Sequence, residues 1–173
     1  MIAIFKDTNT LNENSNNQAI NALEELVEES SGKISIEVAT VVETELQKDF
    51  NKNHQARLKK AAGYIYSYEV TVLGESRLGF SIPGSEEDGK NYRELLKIFF
   101  GDKQNYKSND RRDALHVHTA IRNGGRYFIT YDKKLLRRST NVQERFNSLI
   151  ICTPEECLRL VLERIELLKE TNH

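Results

Sequence analysis

The sequence predicts an α/β domain of three layers, with helices on both faces of a central parallel sheet of about five strands. Short apolar or β-branched runs, IAIFK (2–6), KISIEVAT (33–40), RYFIT (126–130) and SLIIC (148–152), alternate with helical patterns of about ten residues or more. Connections of that length join parallel strands and must lie over the sheet they connect. The 173 residues, 38% hydrophobic and 29% charged, fit one domain spanning 1–173. A chain of that size buries about two thirds of its unfolded surface without staples.

The elements follow in order. IAIFK ends at DTNT, an Asn-rich stretch follows, and QAINALEELVEES (18–30) has helical spacing. After KISIEVAT, the segment VVETELQKDFNKNHQARLKKAAG (41–63) reads as one or two helices broken near Asn51 to Asn53. The region from about 51 to 108 is less regular. YIYSYEVTVL (64–73) has strand composition, but its periodicity does not separate strand from helix. GESRLGFSIPGSEEDGK (74–90) is dense in Gly, Ser and Pro, and NYRELLKIFFG (91–101) is a short amphipathic helix. A helix from about 110 to 123, a turn at Gly124 and Gly125, RYFIT, a short basic helix and SLIIC come next. Thr153 as N-cap, Pro154 at the first helical position and Glu156 closing a capping box open the final helix, CLRLVLERIELLKE (157–170).

Composition excludes several functions. No run approaches the roughly 20 apolar residues of a membrane span, and MIAIFK is too short for a signal peptide, so a cytoplasmic location is expected. Cys152 and Cys157 are too few for a disulfide framework or a zinc knuckle and read as packed thiols. No Gly-Lys-Ser phosphate loop is present. The formal net charge of −1 gives no global attraction to nucleic acid, so such a partner would be held by a local patch. Lys133, Lys134, Arg137 and Arg138 in KKLLRR are the best candidates, with ARLKK (56–60) second. Either run alone ordinarily reads as a solvated helix face.

Ligands of open parallel sheets bind outside the carboxyl ends of the strands. Asp7 follows IAIFK, Glu43 lies three residues past Thr40, Asp113 stands in the first turn of the helix before RYFIT, and Asp132 follows YFIT with one residue between. All four are expected to face one rim. At about 5 Å and an effective dielectric of about 20, each like-charged pair costs about 3 kcal/mol. Such a cluster takes up protons or cations, and hard oxygen ligands favour Mg²⁺ or Mn²⁺. Relief of that repulsion predicts that Asp7→Asn and Asp132→Asn each raise stability in metal-free buffer. Each acid also has an ordinary role. Asp7 suits an Asx-turn, Glu43 or its neighbour Glu45 a helix first turn, Asp110 and Asp113 an N-cap and N3 pair, and Asp132 an N-cap.

These segments together resemble the PIN-domain family, which includes the VapC-type toxins of toxin–antitoxin pairs. IAIFKDTNTL is similar to its apolar strand followed by Asp-x-Asn, here Asp7 and Asn9. ISIEVATVVETEL is similar to its strand with Thr and Glu three residues apart, here Thr40 and Glu43. DALHVHTAIRNGGRYFITYDKKLL resembles its Asp-Ala opening, Thr-Ala helix, glycine turn and Thr-x-Asp strand end, and SLIICTPEECLRLV its closing strand and helix start. The matches cover 1–46 and 110–165 in order. The resemblance implies a metal-dependent ribonuclease with Asp7, Glu43, Asp113 and Asp132 as ligands of Mg²⁺ or Mn²⁺. Asn9 and Thr130 would orient those ligands. It also implies RNA as substrate, an antitoxin protein as partner and a homodimer.

The middle region, 51–108, is longer than in compact members of that family. His116 and His118 stand where the family often has small residues. They diverge by about 200° on a helix, so they cannot chelate one ion together and are expected to be packed or on the surface. Two other readings remain open. DTNT approaches the Asp-x-Asp-x-Thr start of haloacid-dehalogenase-like phosphatases, with Asn9 in place of their acid/base aspartate. A PIN-like fold that keeps its acids but only binds is the other.

Overall fold

The computed structural model describes residues 1–11, 17–40, 42, 54–70 and 81–170. Its centre is a five-stranded parallel sheet of β1 (Ile2–Lys6), β2 (Ile34–Ala39), β3 (Ile65–Ser67), β6 (Tyr127–Ile129) and β7 (Ile150–Cys152), in the order β3-β2-β1-β6-β7. Around it lie α1 (Gln18–Glu29), α2 (His54–Ala61), α3 (Glu86–Phe100), α4 (Ser108–Arg122), α5 (Lys133–Leu136), α6 (Ser139–Phe146) and α7 (Pro154–Glu170). The expected three-layer α/β class is the one observed. A separate parallel pair joins β4 (Glu69–Val70), within YIYSYEVTVL, to β5 (Ser81–Ile82), within the Gly-, Ser- and Pro-rich run. It resolves the ambiguity of YIYSYEVTVL as strand over its described residues.

Every residue of β1 and β2 is buried, as a strand covered on both faces requires. Period-two alternation then divides the core. Ile2, Ile4, Ile34, Ile36, Tyr127 and Ile129 pack with Leu23 of α1 and Val161 of α7 on one face. Ala3, Phe5, Phe128 and Ile151 pack with α3, α4, α5 and α6 residues on the other, among them Leu95, Leu115, Leu135 and Val142. The buried polar residues of these strands are satisfied. Lys6 Nζ donates to Glu24 Oε1 at 3.1 Å and Tyr64 Oη at 2.8 Å, and Glu37 accepts from Ser35 and Ser67.

Three boundaries differ from the expectation. The helix over NYRELLKIFF begins at Glu86, inside the Gly- and Ser-rich run, because Ser85 and Asp88 form a reciprocal capping box. The helix expected from about 110 begins at Ser108, where Lys107 N–H donates to Asp110 Oδ2. Asp110 is therefore N3 rather than N-cap, and Asp113 lies in the second turn rather than the first. The short basic helix is followed by a distinct one, α6. The start of α7 is as expected, with Thr153 and Glu156 bonded reciprocally at 3.0 and 3.3 Å. The break expected at Asn51 to Asn53 lies outside the described residues.

The turn from α4 into β6 depends on Gly125. Its N–H reaches Ala120 O at 2.7 Å, and a Cβ there would meet Ala120 O at 2.8 Å and Phe5 Cδ2 at 2.9 Å. Gly124 precedes it at φ 73°. Gly125→Ala is expected to cost roughly 1–3 kcal/mol by overpacking, read as a lower urea midpoint. An unchanged midpoint would show that this contact does not constrain the sheet.

Towards the C-terminal end of α4, buried His118 places Nε2 3.6 Å from Asp88 Oδ1, which Arg122 Nε approaches at 3.2 Å. Burial, with the Arg122 charge, pulls the His118 imidazole below its ordinary 6.5 against the opposing pull of Asp88. Burial would raise Asp88, but hydrogen bonds from the Ser85 backbone and hydroxyl, with the Arg122 and His118 charges, hold it below 3.8. Beneath pH 6.5 the unfolded chain binds a proton at His118 that the folded chain resists, so stability is full above that window and falls as pH drops through it. Asp88 adds a second loss below 3.8. His118→Leu should flatten the dependence of the urea midpoint between pH 7 and 5, and an unaltered slope would exclude His118 as its source.

Candidate functional site

The strand order reverses between β1 and β6, since β1 is followed by β2 on one side and β6 by β7 on the other. At the carboxyl ends of those two neighbours, where an open parallel sheet leaves a crevice, stand Asp7 and Thr130. Asp7 N–H donates to Ile129 O at 3.1 Å, which carries the ladder one residue past β1. Its carbonyl accepts from Thr10 N–H at 3.0 Å and Thr10 Oγ1 at 2.7 Å, folding DTNTL into a short 3₁₀ turn, Thr8–Leu11.

The Asp7 carboxylate is held by residues from both strands. Oδ2 accepts from Thr130 Oγ1 at 2.6 Å and Asn9 Nδ2 at 2.8 Å, while Oδ1 accepts from Thr8 N–H at 2.7 Å. Thr130 Oγ1, fully buried, in turn accepts from Asn9 Nδ2 at 3.0 Å and Asp132 N–H at 2.9 Å. Asn9 Oδ1 completes the knot by accepting Tyr131 N–H at 3.1 Å. Asn9 and Thr130, expected to orient the acids, thus both bond Asp7.

Asp132 performs its ordinary role as well. It is the N-cap of α5, with Oδ1 accepting Lys134 N–H at 2.6 Å, while Oδ2 takes no hydrogen bond from the described residues. Asp113 lies on α4 one turn before His116, on the same helix face. His116 is buried, with Nδ1 3.6 Å from Asp7 Oδ1, which brings that face to the rim. His116 is therefore part of the site's surroundings, while His118 serves the Asp88 cluster. Arg57 of α2 also reaches the site, its Nη2 donating to Thr8 O at 3.1 Å. Lys133, Lys134, Arg137 and Arg138 are all exposed, on and just after α5. Glu43 and Glu45 lie outside the described residues. Thr40 and Val42, which precede them in sequence, are buried.

The donor chemistry suits a hard divalent cation. Asp7 presents carboxylate oxygens in a fixed orientation, and Asp132 keeps one oxygen. Among the described residues no three His, Cys, Asp or Glu side chains stand close enough together to hold an ion. Among them, too, no helix is long and apolar enough to cross a membrane.

No family model matches the chain, and no curated protein matches it. Among solved structures it is similar to the crystal structure of VapBC2 from Rickettsia felis bound to a DNA fragment from their promoter. The TM-score is 0.47 and the identity 17%, over 88% of this chain and 98% of that one. At that level the likeness establishes neither family nor chemistry.

The hydrogen bonds reverse one expectation from charge repulsion. Because the Asp7 carboxylate accepts from three donors among the described residues, Asp7→Asn loses acceptor capacity and is expected to lower stability in metal-free buffer by about 1–3 kcal/mol. Asp132→Asn should be close to neutral, since Asn is also a good N-cap. Thr130→Val, which strips the buried hydroxyl from three partners, should cost about as much as Asp7→Asn. Denaturant unfolding of the three variants checks the order, and a stabilised Asp7→Asn would restore repulsion as the dominant effect.

Proposed function

We propose that the protein is a divalent-metal-dependent endoribonuclease of PIN type, hydrolysing RNA phosphodiester bonds. Asp7, Glu43, Asp113 and Asp132 are its acidic ligands for Mg²⁺ or Mn²⁺. The observation that supports this reading is the linkage of Asp7 and Asp132 through Thr130, at the strand ends that flank the switch in strand order. A bound divalent cation there would supply a water of lowered pKa and charge stabilisation for the leaving oxygen.

The chain's own residues supply the rest. Thr130 and Asn9 fix the orientation of the Asp7 carboxylate by donating to its Oδ2. Asp132 is fixed at its backbone by Thr130 and at Oδ1 by its cap, leaving Oδ2 for a ligand. Lys133, Lys134, Arg137 and Arg138 draw phosphates to a rim that would otherwise repel them. No nucleophilic side chain is required, because the attacking group is water. The motif resemblance supports a toxin of a toxin–antitoxin pair, working in the cytoplasm, with an antitoxin protein as partner and a homodimer as the assembly.

Cleavage of a pool of structured and single-stranded RNA with Mn²⁺, with Mg²⁺ and with EDTA tests this. The expected result is metal-dependent cleavage that Asp7→Asn and Asp132→Asn each reduce to the level seen in EDTA. Cleavage that persists in both variants would contradict it.

A further inference from the structure

Tyr131 sits between two of the site's residues, after buried Thr130 and before the capping Asp132, yet the residue is 38% exposed. Its hydroxyl is gripped from two elements. Asn17, the N-cap of α1, donates through Nδ2 to Tyr131 Oη and to Glu155 Oε1 at 2.8 Å, and Tyr131 Oη–H donates to Glu155 Oε1 at 3.4 Å. The backbone N–H is fixed by Asn9 Oδ1. An exposed tyrosine ordinarily keeps its rotamer freedom and its hydroxyl in water. Here both are given up, and the ring is fixed at the rim beside the acids.

Electrostatics preserve the grip. Burial would raise Glu155, but hydrogen bonds from Asn17, its own backbone N–H, Thr153 and Tyr131 hold it below the usual carboxylate range. Glu155 therefore stays an acceptor.

We propose that the clamped Tyr131 ring is a stacking platform for an unpaired base of the RNA next to the scissile phosphate, so that the site selects single-stranded RNA. This rests on the ribonuclease reading of the rim. A base in a duplex has both faces occupied by its neighbours, whereas an unpaired base can be splayed onto an aromatic ring. The ring is preordered, so stacking costs little further side-chain entropy. Lys133 and Lys134 follow it by two and three residues and are exposed, within reach of the phosphates flanking such a base.

The test is binding of a fluorescein-labelled unstructured RNA, and of the same strand paired in a duplex, to wild-type, Tyr131→Phe and Tyr131→Leu protein in EDTA. Base–aromatic stacking predicts that Tyr131→Leu weakens single-stranded binding by about 5- to 150-fold and leaves duplex binding unchanged, while Tyr131→Phe keeps most of the affinity. A 5-iodouridine version of the strand should photo-cross-link to Tyr131, located by mass spectrometry. Equal single-stranded affinity in Tyr131→Leu and wild type, or equal losses for both RNAs, would overturn the platform. Metal-dependent cleavage of the same strand by wild-type protein separates the two failures. If cleavage is present the ribonuclease reading stands and only the platform falls, and if wild type neither binds nor cleaves both fall.

Discussion

The geometry of the rim depends on one buried hydroxyl. Thr130 Oγ1 has one proton to give and two lone pairs to offer, and all three are used, towards Asp7, Asn9 and the Asp132 backbone. Through it, the end of β1, the end of β6 and the start of α5 become a single object. A carboxylate held this way has its orientation set before any ligand arrives. That preorganisation is what a cation site requires of its chain.

The sheet below supplies the rigidity. β1 lies at the centre with neighbours on both sides, and Gly125 lets α4 turn back closely enough for β6 to pair with it. One residue before Asp7, Lys6 points to the α1 face. Its ammonium lies 4.5 Å from the centre of the Tyr64 ring and bonds Glu24. Burial draws Lys6 down to about 8, while the Glu24 charge and hydrogen bond oppose that fall. The strand that carries the acid is thus anchored through Lys6 on one face and through Phe5 on the other.

Much of the architecture was legible because it rests on local rules. IAIFK and KISIEVAT are too apolar for an exposed strand, Thr153-Pro154-Glu155-Glu156 spells a helix start, and Gly124-Gly125 a turn. Asp7, Asn9 and Thr130 could be placed together because strand ends in a parallel sheet share a rim. What was not legible depends on contacts distant in sequence. The Gly- and Ser-rich run before Asn91 hides a helix start at Glu86, because Tyr92, Leu95 and Phe99 of that helix join a cluster with Phe5 and Phe128, which lie far off in sequence. His116 and His118 share a helix and differ only in which acid they meet, Asp7 or Asp88, which spacing does not reveal. Tyr131 gave no signal at all, since its clamp joins residues 17, 131 and 155.

Under the proposed function, Asp7 and its neighbouring acids hold a divalent cation. Electron paramagnetic resonance of Mn²⁺ titrated with the protein measures this without any RNA. The account predicts saturable uptake of free Mn²⁺ by wild-type protein, displaced by excess Mg²⁺ and strongly weakened in Asp7→Asn protein that remains folded. Mn²⁺ that stays free in the presence of wild-type protein, or is bound equally by Asp7→Asn, would contradict it.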